Sequence, residues 1–423
     1  MILRSFDHFV FLLYRHFFVR LTLISLKLLK PVLSKKIQAL IEERQTETWM
    51  SLPTRPIWIH AASGEIEYAK SLIRQLKENF PQIPILVTYF SPSAKKLISS
   101  SQDIDLSLPL VWDKASDVKR FLNFYQPRIC LIARTDVWPE LVHQVHQRKI
   151  PSALFSNTFS EANADRNFVS TALYRGAVNK LDVIFCVSES DLNNLRAIQV
   201  RTPVWVHGDT RYDQVLFRVE HPSPLKFAFD KSLHHVFVCG STWPQDEEIL
   251  LESLSEFLTQ PSNKIIWAPH EIHEDHLSSL EKQFKAKGWH SQRYSQSQSF
   301  DQQIMLVDEI GRLQELYLWG HCAFVGGSFK DKVHSVMEPL AAGCPVVIGP
   351  YHLNNREALH FQHKRLQQDL FIVSPINNAM ELQRWLTKTS VFTAQNDLKM
   401  TIQKMSGATV KLKDWIKQQL QLF

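Results

Sequence analysis

The chain has 423 residues, 44% of them hydrophobic, with 48 Lys and Arg against 42 Asp and Glu and only 12 Gly. At ~100–200 residues per domain this length gives two or three domains, and the composition excludes global disorder and any Gly-rich low-complexity chain. Residues 1–40 hold seven basic side chains and one acid, Asp7, which is the whole excess of +6; the rest balances at 41 of each sign, so no global positive field exists to hold nucleic acid.

Residues 8–33 are strongly apolar but interrupted by charge. No uncharged run reaches the ~18 residues of a plain membrane span. On a helical projection Arg4, His8, Arg15, His16, Arg20, Lys27 and Lys30 share one side. Val10, Phe11, Phe17, Phe18, Leu21, Ile24, Leu28 and Leu29 share the other. That is the pattern of a helix lying in a membrane interface, its basic side against anionic lipids. The alternative is an amphipathic helix docked on the protein. Without a small-residue cleavage site, a removed signal peptide fits poorly.

From residue 56 the chain alternates apolar β-branched runs with helical patterns. Strands are predicted at Ile57–Ala62, Ile85–Phe90, Ile129–Ala133, Ser152–Ser156, Val183–Val187 and Val204–His207, with helices such as 65–79, 114–125, 137–148 and 189–198. The array then restarts. Strands are predicted at 235–240, 264–268, 304–308, 322–326, 345–348 and 370–374, with helices near 245–259, 273–287, 312–319, 335–342, 354–366 and 377–388. Continuous apolar runs suit parallel strands covered on both faces, so the fold class is α/β with two doubly wound, Rossmann-like domains. The boundary lies within 208–230. The division is 1–40 membrane-associated helix, 41–210 first domain, 211–390 second domain and 391–423 C-terminal helical region. The polar stretch 291–303 reads as a surface loop. Asp103-Ile104-Asp105 reads as a solvated turn rather than a metal-binding DxD.

Cys130, Cys186, Cys239, Cys322 and Cys344 form no CxxC pair, so no zinc site is expected and no metal is assigned. Most sit in apolar runs, where Cys acts as a small buried hydrophobe of a reducing compartment.

Three segments could carry chemistry at strand ends. In HAASGE, Glu65 opens a helix beside the expected crevice, either as a general base or as a favourable charge at the helix start. In ARTDVWPEL, Arg134 and Asp136 sit where a strand meets its helix, either in function or as a loop-holding pair. In the second domain Gly326-Gly327 end a strand, and His334-Ser335 are expected to begin a helix carrying Glu338. Helix-start amides bind phosphate, and Glu338 could hold ribose hydroxyls.

This succession resembles the 3-deoxy-D-manno-octulosonic acid (Kdo) transferase family, glycosyltransferases that act on the lipid A precursor. HAASGE, VTYFSPSA, TDVWPEL, FSNTFSEANADR, VSESDLNNL, GDTRYD, GSTWPQDEE, WAPHE, VDEIGRLQELY and VGGSF to IGP follow in order after the basic-apolar N-terminus. The resemblance implies a GT-B fold, with transfer from CMP-Kdo to a lipid A precursor of the lipid IVA type, with inversion and without cofactor or metal. It places the enzyme on the cytoplasmic side of the inner membrane of a Gram-negative cell. Glu65 would be the base. Arg211 stands where the family has a Lys thought to stabilise the transition state. Donor-binding positions would be Pro269, His270, Ile310, Gly311, Arg312, Ser335, Val336, Met337 and Glu338. The chain also departs from the pattern. Ser63-Gly64-Glu65 lacks a residue between Ser and Gly. Lys332-Val333-His334-Ser335 replaces Gly-Gly-His-Asn. Arg134 stands where the family has a carboxylate, whose charge Asp136 would have to supply. Two other readings fit: a GT-B transferase using another nucleotide sugar on a lipid, or an inactive membrane-bound nucleotide-sugar-binding protein.

Overall fold

A computed structural model describes residues 2–46, 48–99, 101–161 and 167–421. The chain forms two compact units, one of Met1–Gln214 with Ser406–Phe423, the other of Val215–Met405.

The first unit opens with helices α1 (Ile2–Leu13), α2 (Val19–Leu29) and α3 (Lys35–Thr46). Tyr14–Phe18 form a π-turn between α1 and α2, and the helical run Leu3–Val32 is long and apolar enough to cross a membrane. A seven-stranded parallel sheet follows: β1 Ile57–His60, β2 Ile85–Tyr89, β3 Leu106–Pro109, β4 Ile129–Ala133, β5 Ser152–Asn157, β6 Val183–Cys186 and β7 Val204–Val206. Its order is β3-β2-β1-β4-β5-β6-β7. The sequence reading omitted β3, whose Leu-Ser-Leu-Pro is short and lies at the sheet edge. Helices α4 (Ile66–Asn79), α5 (Ala115–Tyr125), α6 (Pro139–Gln147), α7 (Phe168–Val178) and α8 (Thr210–Glu220) connect the strands or follow them. Ile66, Ala69, Ile73 and Leu76 recur at helical spacing on α4 and are fully buried against one sheet face. Val118, Phe121 and Leu122 of α5 and Leu141, Val142 and Val145 of α6 bury against the other.

Helix α1 docks on α7. Asp7 pairs with Arg175 in a buried ion pair, and Gly176 lets the helices approach, since a Cβ there would stand 3.3 Å from that of Asp7. The Tyr14 hydroxyl donates to Asp113 at 2.8 Å, and Arg15 meets the buried Glu140 at 3.1 Å. The apolar face expected as one surface is therefore divided. Val10 and Phe11 are buried in the unit, whereas Phe17, Phe18, Leu21, Ile24, Leu28 and Leu29 are exposed.

The C-terminal stretch is shared between the units. Helix Gln395–Gln403 belongs to the second, and helix Ala408–Gln421 returns to the first, burying Leu412 and Ile416 beside α4. Asp213 anchors its start, accepting from the amides of Gly407 (2.6 Å) and Thr409 (2.8 Å) and from the Thr409 hydroxyl (2.8 Å).

The second unit repeats the architecture with β8 His235–Thr242, β9 Asn263–Pro269, β10 Ser291–Arg293, β11 Ile304–Leu306, β12 Cys322–Val325, β13 Val346–Ile348 and β16 Val373–Pro375. The parallel order is β10-β11-β9-β8-β12-β13-β16. Two expectations are corrected. The polar stretch from 291 contains edge strand β10, where polar side chains cost little; Gln292 accepts from the amides of Asp301 and Gln302 and so folds the following loop back. The run 370–374 is two strands: β15 (Leu370–Phe371) pairs antiparallel with β14 (Arg365–Gln367), and β16 then joins the sheet. The Asp103–Asp105 turn is also more than solvated. Asp105 accepts from Lys77 and from the Ile85 amide, tying α4 to β2. All five cysteines are buried and none is in a disulfide.

Candidate active site

In the first sheet the strand order reverses between β1 and β4, and open α/β sheets bind ligands at the carboxyl ends of such a pair. His60 is the last residue of β1 and fully buried. Its Nδ1 meets the Thr88 carbonyl and hydroxyl, both at 3.0 Å, and its Nε2 lies 2.7 Å from an Asp136 carboxylate oxygen just beyond β4. Trp138 Nε1 donates to the same oxygen at 3.0 Å. Burial would raise the Asp136 carboxyl, but the hydrogen bond and charge of His60 and the bond from Trp138 prevail and hold it below its ordinary value.

The shortened Ser63-Gly64-Glu65 turn winds directly into α4. The amides of Ile66, Glu67 and Tyr68 bond the carbonyls of Ser63, Gly64 and Glu65 in succession. One Glu65 oxygen folds back onto the Ser63 amide at 2.8 Å; the other takes no hydrogen bond from the described residues. One helical turn later comes Tyr68, whose ring organises the cations. Arg134 donates to the Tyr68 hydroxyl and lies 4.5 Å from the ring centroid, with a second bond to the Thr158 hydroxyl at 3.2 Å. Arg211, in the first turn of α8, lies 5.7 Å from the same centroid. Arg134 reaches this place with φ +63°, a left-handed conformation that is costly for a side-chain-bearing residue, and Asn157 Nδ2 holds its carbonyl at 2.7 Å. The fold thus gathers Glu65, Arg134, Asp136 and Arg211 at the carboxyl edge of one sheet.

The donor candidates lie in the second unit, whose strand order reverses between β8 and β12. There Gly326 is obligatory, because a Cβ would come within 2.2 Å of the Ser241 carbonyl oxygen. Asp246 collects the amides of Trp243 (2.9 Å), Gly327 (2.6 Å) and Phe329 (2.9 Å), fixing both loops. Pro269 ends β9, and the His270 amide donates to the Thr242 carbonyl at 2.9 Å. The His270 ring stacks 4.5 Å from Trp243 and 4.5 Å from His334, while Trp243 Nε1 donates to His334 Nε2 at 3.0 Å. Burial, then His270 and Lys332, lower His334 to about 4, so at neutral pH it is neutral with its proton on Nδ1. Ile310 is exposed, Gly311 has φ +84°, and Arg312 meets Glu309 at 3.3 Å.

One expectation fails at this place. His334-Ser335 do not begin a helix. The helix is Met337–Ala342, six residues long, and the His334 amide is spent on the Gly326 carbonyl. Val336 and Met337 are buried, consistent with packing, and Ser335 donates to Glu338. Gly343 closes the helix at φ +90°, as its position before Cys344-Pro345 predicts.

Residues 35–214 match the family described as 3-deoxy-D-manno-octulosonic-acid transferase (kdotransferase). The 3-deoxy-D-manno-octulosonic acid transferase of Haemophilus influenzae is 27% identical over 316 residues, covering 71% of this chain and 72% of that protein. That of Aquifex aeolicus is 27% identical over 304 residues, 70% and 76% of the two chains. The chain is thus similar to Kdo transferases over about 70% of its length. With its Kdo transferase relatives it is a glycosyltransferase, and its two parallel sheets form a GT-B fold. Solved structures share that fold. The UDP-GlcNAc 2-epimerase of Neisseria meningitidis superposes with a TM-score of 0.60 at 13% identity, covering 87% of this chain and 100% of that one. MurG of Acinetobacter baumannii gives 0.52 at 10% identity, covering 86% and 99%.

Three residues of this Kdo transferase-like chain escape a motif reading. His60 is the one polar residue ending an otherwise apolar buried strand. Tyr68 is three residues beyond Glu65, on the same side of α4. Trp243 precedes the helix-starting Pro244. His60 and Tyr68 lie within the matched residues 35–214 and Trp243 beyond them, and in each case the neighbours alone show what the residue does.

Proposed function

We propose that the protein transfers Kdo from CMP-Kdo to a lipid A precursor, with inversion and Glu65 as general base. The observation that carries this reading is the Glu65 turn beside the Arg134–Tyr68–Arg211 cluster. A carboxylate oxygen with an open lone pair stands one helical turn from two cations held on one ring. In this reading Glu65 takes the proton of an acceptor hydroxyl, and that oxygen attacks the anomeric carbon of Kdo. The C–O bond to the CMP phosphate breaks, and the phosphate leaves with the electron pair. Arg211 and Arg134 supply positive charge as negative charge gathers there. Asp136, kept ionised by His60, supplies the carboxylate that Arg134 cannot. The second unit holds CMP among His270, Gly311, Arg312, His334 and Glu338. The exposed apolar stretch of α2 supports a lipid acceptor and a place at a membrane surface, which in this reading is the cytoplasmic side of the inner membrane.

The test is mass spectrometry of a tetraacyl lipid A precursor incubated with CMP-Kdo and enzyme. Glu65→Gln is expected to lower the transfer rate by about 10²–10⁴-fold while leaving CMP affinity unchanged. Undiminished transfer by the variant removes Glu65 from the mechanism. CMP binding by the wild type without Kdo transfer favours the inactive-binder reading.

A further inference from the structure

A cavity of about 410 Å³ lies in the first unit, within the ~300–1,000 Å³ range of small-molecule sites. Among its lining are Arg44, Thr48, Trp49, Trp112, Asp117 and Arg120. Val111 and Trp112 follow the carboxyl end of β3, so the cavity opens at the same sheet edge as the Glu65 turn. None of these residues belongs to the catalytic or donor sets.

Arg44 is the unusual member. Its guanidinium donates to three backbone carbonyls, Leu40 (3.0 Å), Phe90 (2.9 Å) and Leu110 (2.8 Å), and lies between the rings of Phe90 (4.7 Å) and Trp112 (4.9 Å). Three of its five N–H groups are thereby used and two remain. Among the described residues it forms no ion pair; its neighbour Glu43 is engaged by Tyr89 and Lys95. Burial lowers Arg44 to about 10 despite Glu43, the mark of a cation short of negative charge. Arg120, on α5, lies 5.0 Å over Trp49, which is itself held against Phe121 and Phe124. The cavity thus offers two arginine forks and two fixed indole faces. Arginine forks bind phosphate bidentately, and indole faces cover sugar rings. Thr48 and Asp117 complete the lining as partners for sugar hydroxyls, Asp117 through Oδ2, since its Oδ1 accepts from the Ser116 hydroxyl at 3.1 Å.

We propose that this cavity binds a phosphorylated sugar of the acceptor headgroup, with Arg44 and Arg120 on the phosphate and Trp49 and Trp112 against the ring. The proposal rests on the glycolipid acceptor of the preceding reading, and the test separates the two.

The probes are a phosphorylated glucosamine disaccharide without acyl chains and its dephosphorylated form, titrated calorimetrically at fixed ionic strength. Wild type is expected to prefer the phosphorylated probe by about tenfold or more, and Arg120→Gln to lose most of that preference. Arg120 is exposed, so the variant keeps the fold; unchanged CMP binding verifies this. In transfer assays the variant raises the acceptor KM and leaves kcat in place. Equal binding of the two probes, or an unchanged preference in Arg120→Gln, overturns the subsite. A preserved phosphate preference that Arg120→Gln removes, in a wild type that transfers no Kdo, supports the subsite and overturns the transfer reading.

Discussion

Asp113 accepts from the Tyr14 hydroxyl and from the amides of Glu140 and Leu141, yet burial pushes its carboxyl up to about 6. The three hydrogen bonds favour the ionised form, and Glu140 opposes it. A carboxyl raised on folding stabilises the native state most below its unfolded value. That contribution is lost as pH rises through about 6. Asp113→Asn is therefore expected to flatten the fall in stability between pH 4 and about 6, read by thermal unfolding across that range. An unchanged slope would mean that Asp113 does not titrate there. The position matters because Asp113 joins the N-terminal helical run to the start of α6, which directly follows the loop of Asp136 and Trp138. Of these contacts the sequence shows only the residue types. Nothing local marks Tyr14, 99 positions away, as the partner of Asp113.

At the scale of elements, the N-terminal helix is held to α7 mainly by Asp7 and Arg175, side chains only 8% and 7% exposed. Removing one partner of a buried pair strands the other charge, which costs about 3–5 kcal/mol. Asp7→Ala is expected to lose stability of that order in chemical denaturation and to admit protease near α1. Asp7→Ala combined with Arg175→Leu should recover much of it. A neutral Asp7→Ala would place the docking energy in Val10 and Phe11 instead. The division of the apolar face was not legible in the projection. Val10 and Leu28 share one side of an ideal helix, and only α7 decides that the first is buried and the second exposed. The π-turn at Tyr14–Phe18 shifts the phase further. By contrast β1, β4, β8 and β12 were readable, because buried central strands need unbroken apolar runs. Edge strands β3 and β10 were not, since an edge tolerates Ser, Gln and Arg. The site was legible as motifs, and its order at Tyr68 was not, because that depends on three loops meeting.

For the whole molecule, the first unit is discontinuous in sequence. Its core is completed by Leu412 and Ile416 from the last helix. Ile416→Ala should cost about 2–5 kcal/mol, and hydrogen exchange should show the loss in β1, β4 and α4 rather than in the second unit. Uniform loss over both units would show that they unfold as one. The order of synthesis gives this arrangement a further consequence. Residues 215–405 leave the ribosome between the two parts of the first unit. At ~5–20 residues per second, the first sheet and α4 wait on the order of 10–40 s with the part of their core that Leu412 and Ile416 cover still open. During that interval the exposed apolar helix has already emerged. A nascent chain that meets the bilayer early would finish its first unit there, with the closing helix arriving last.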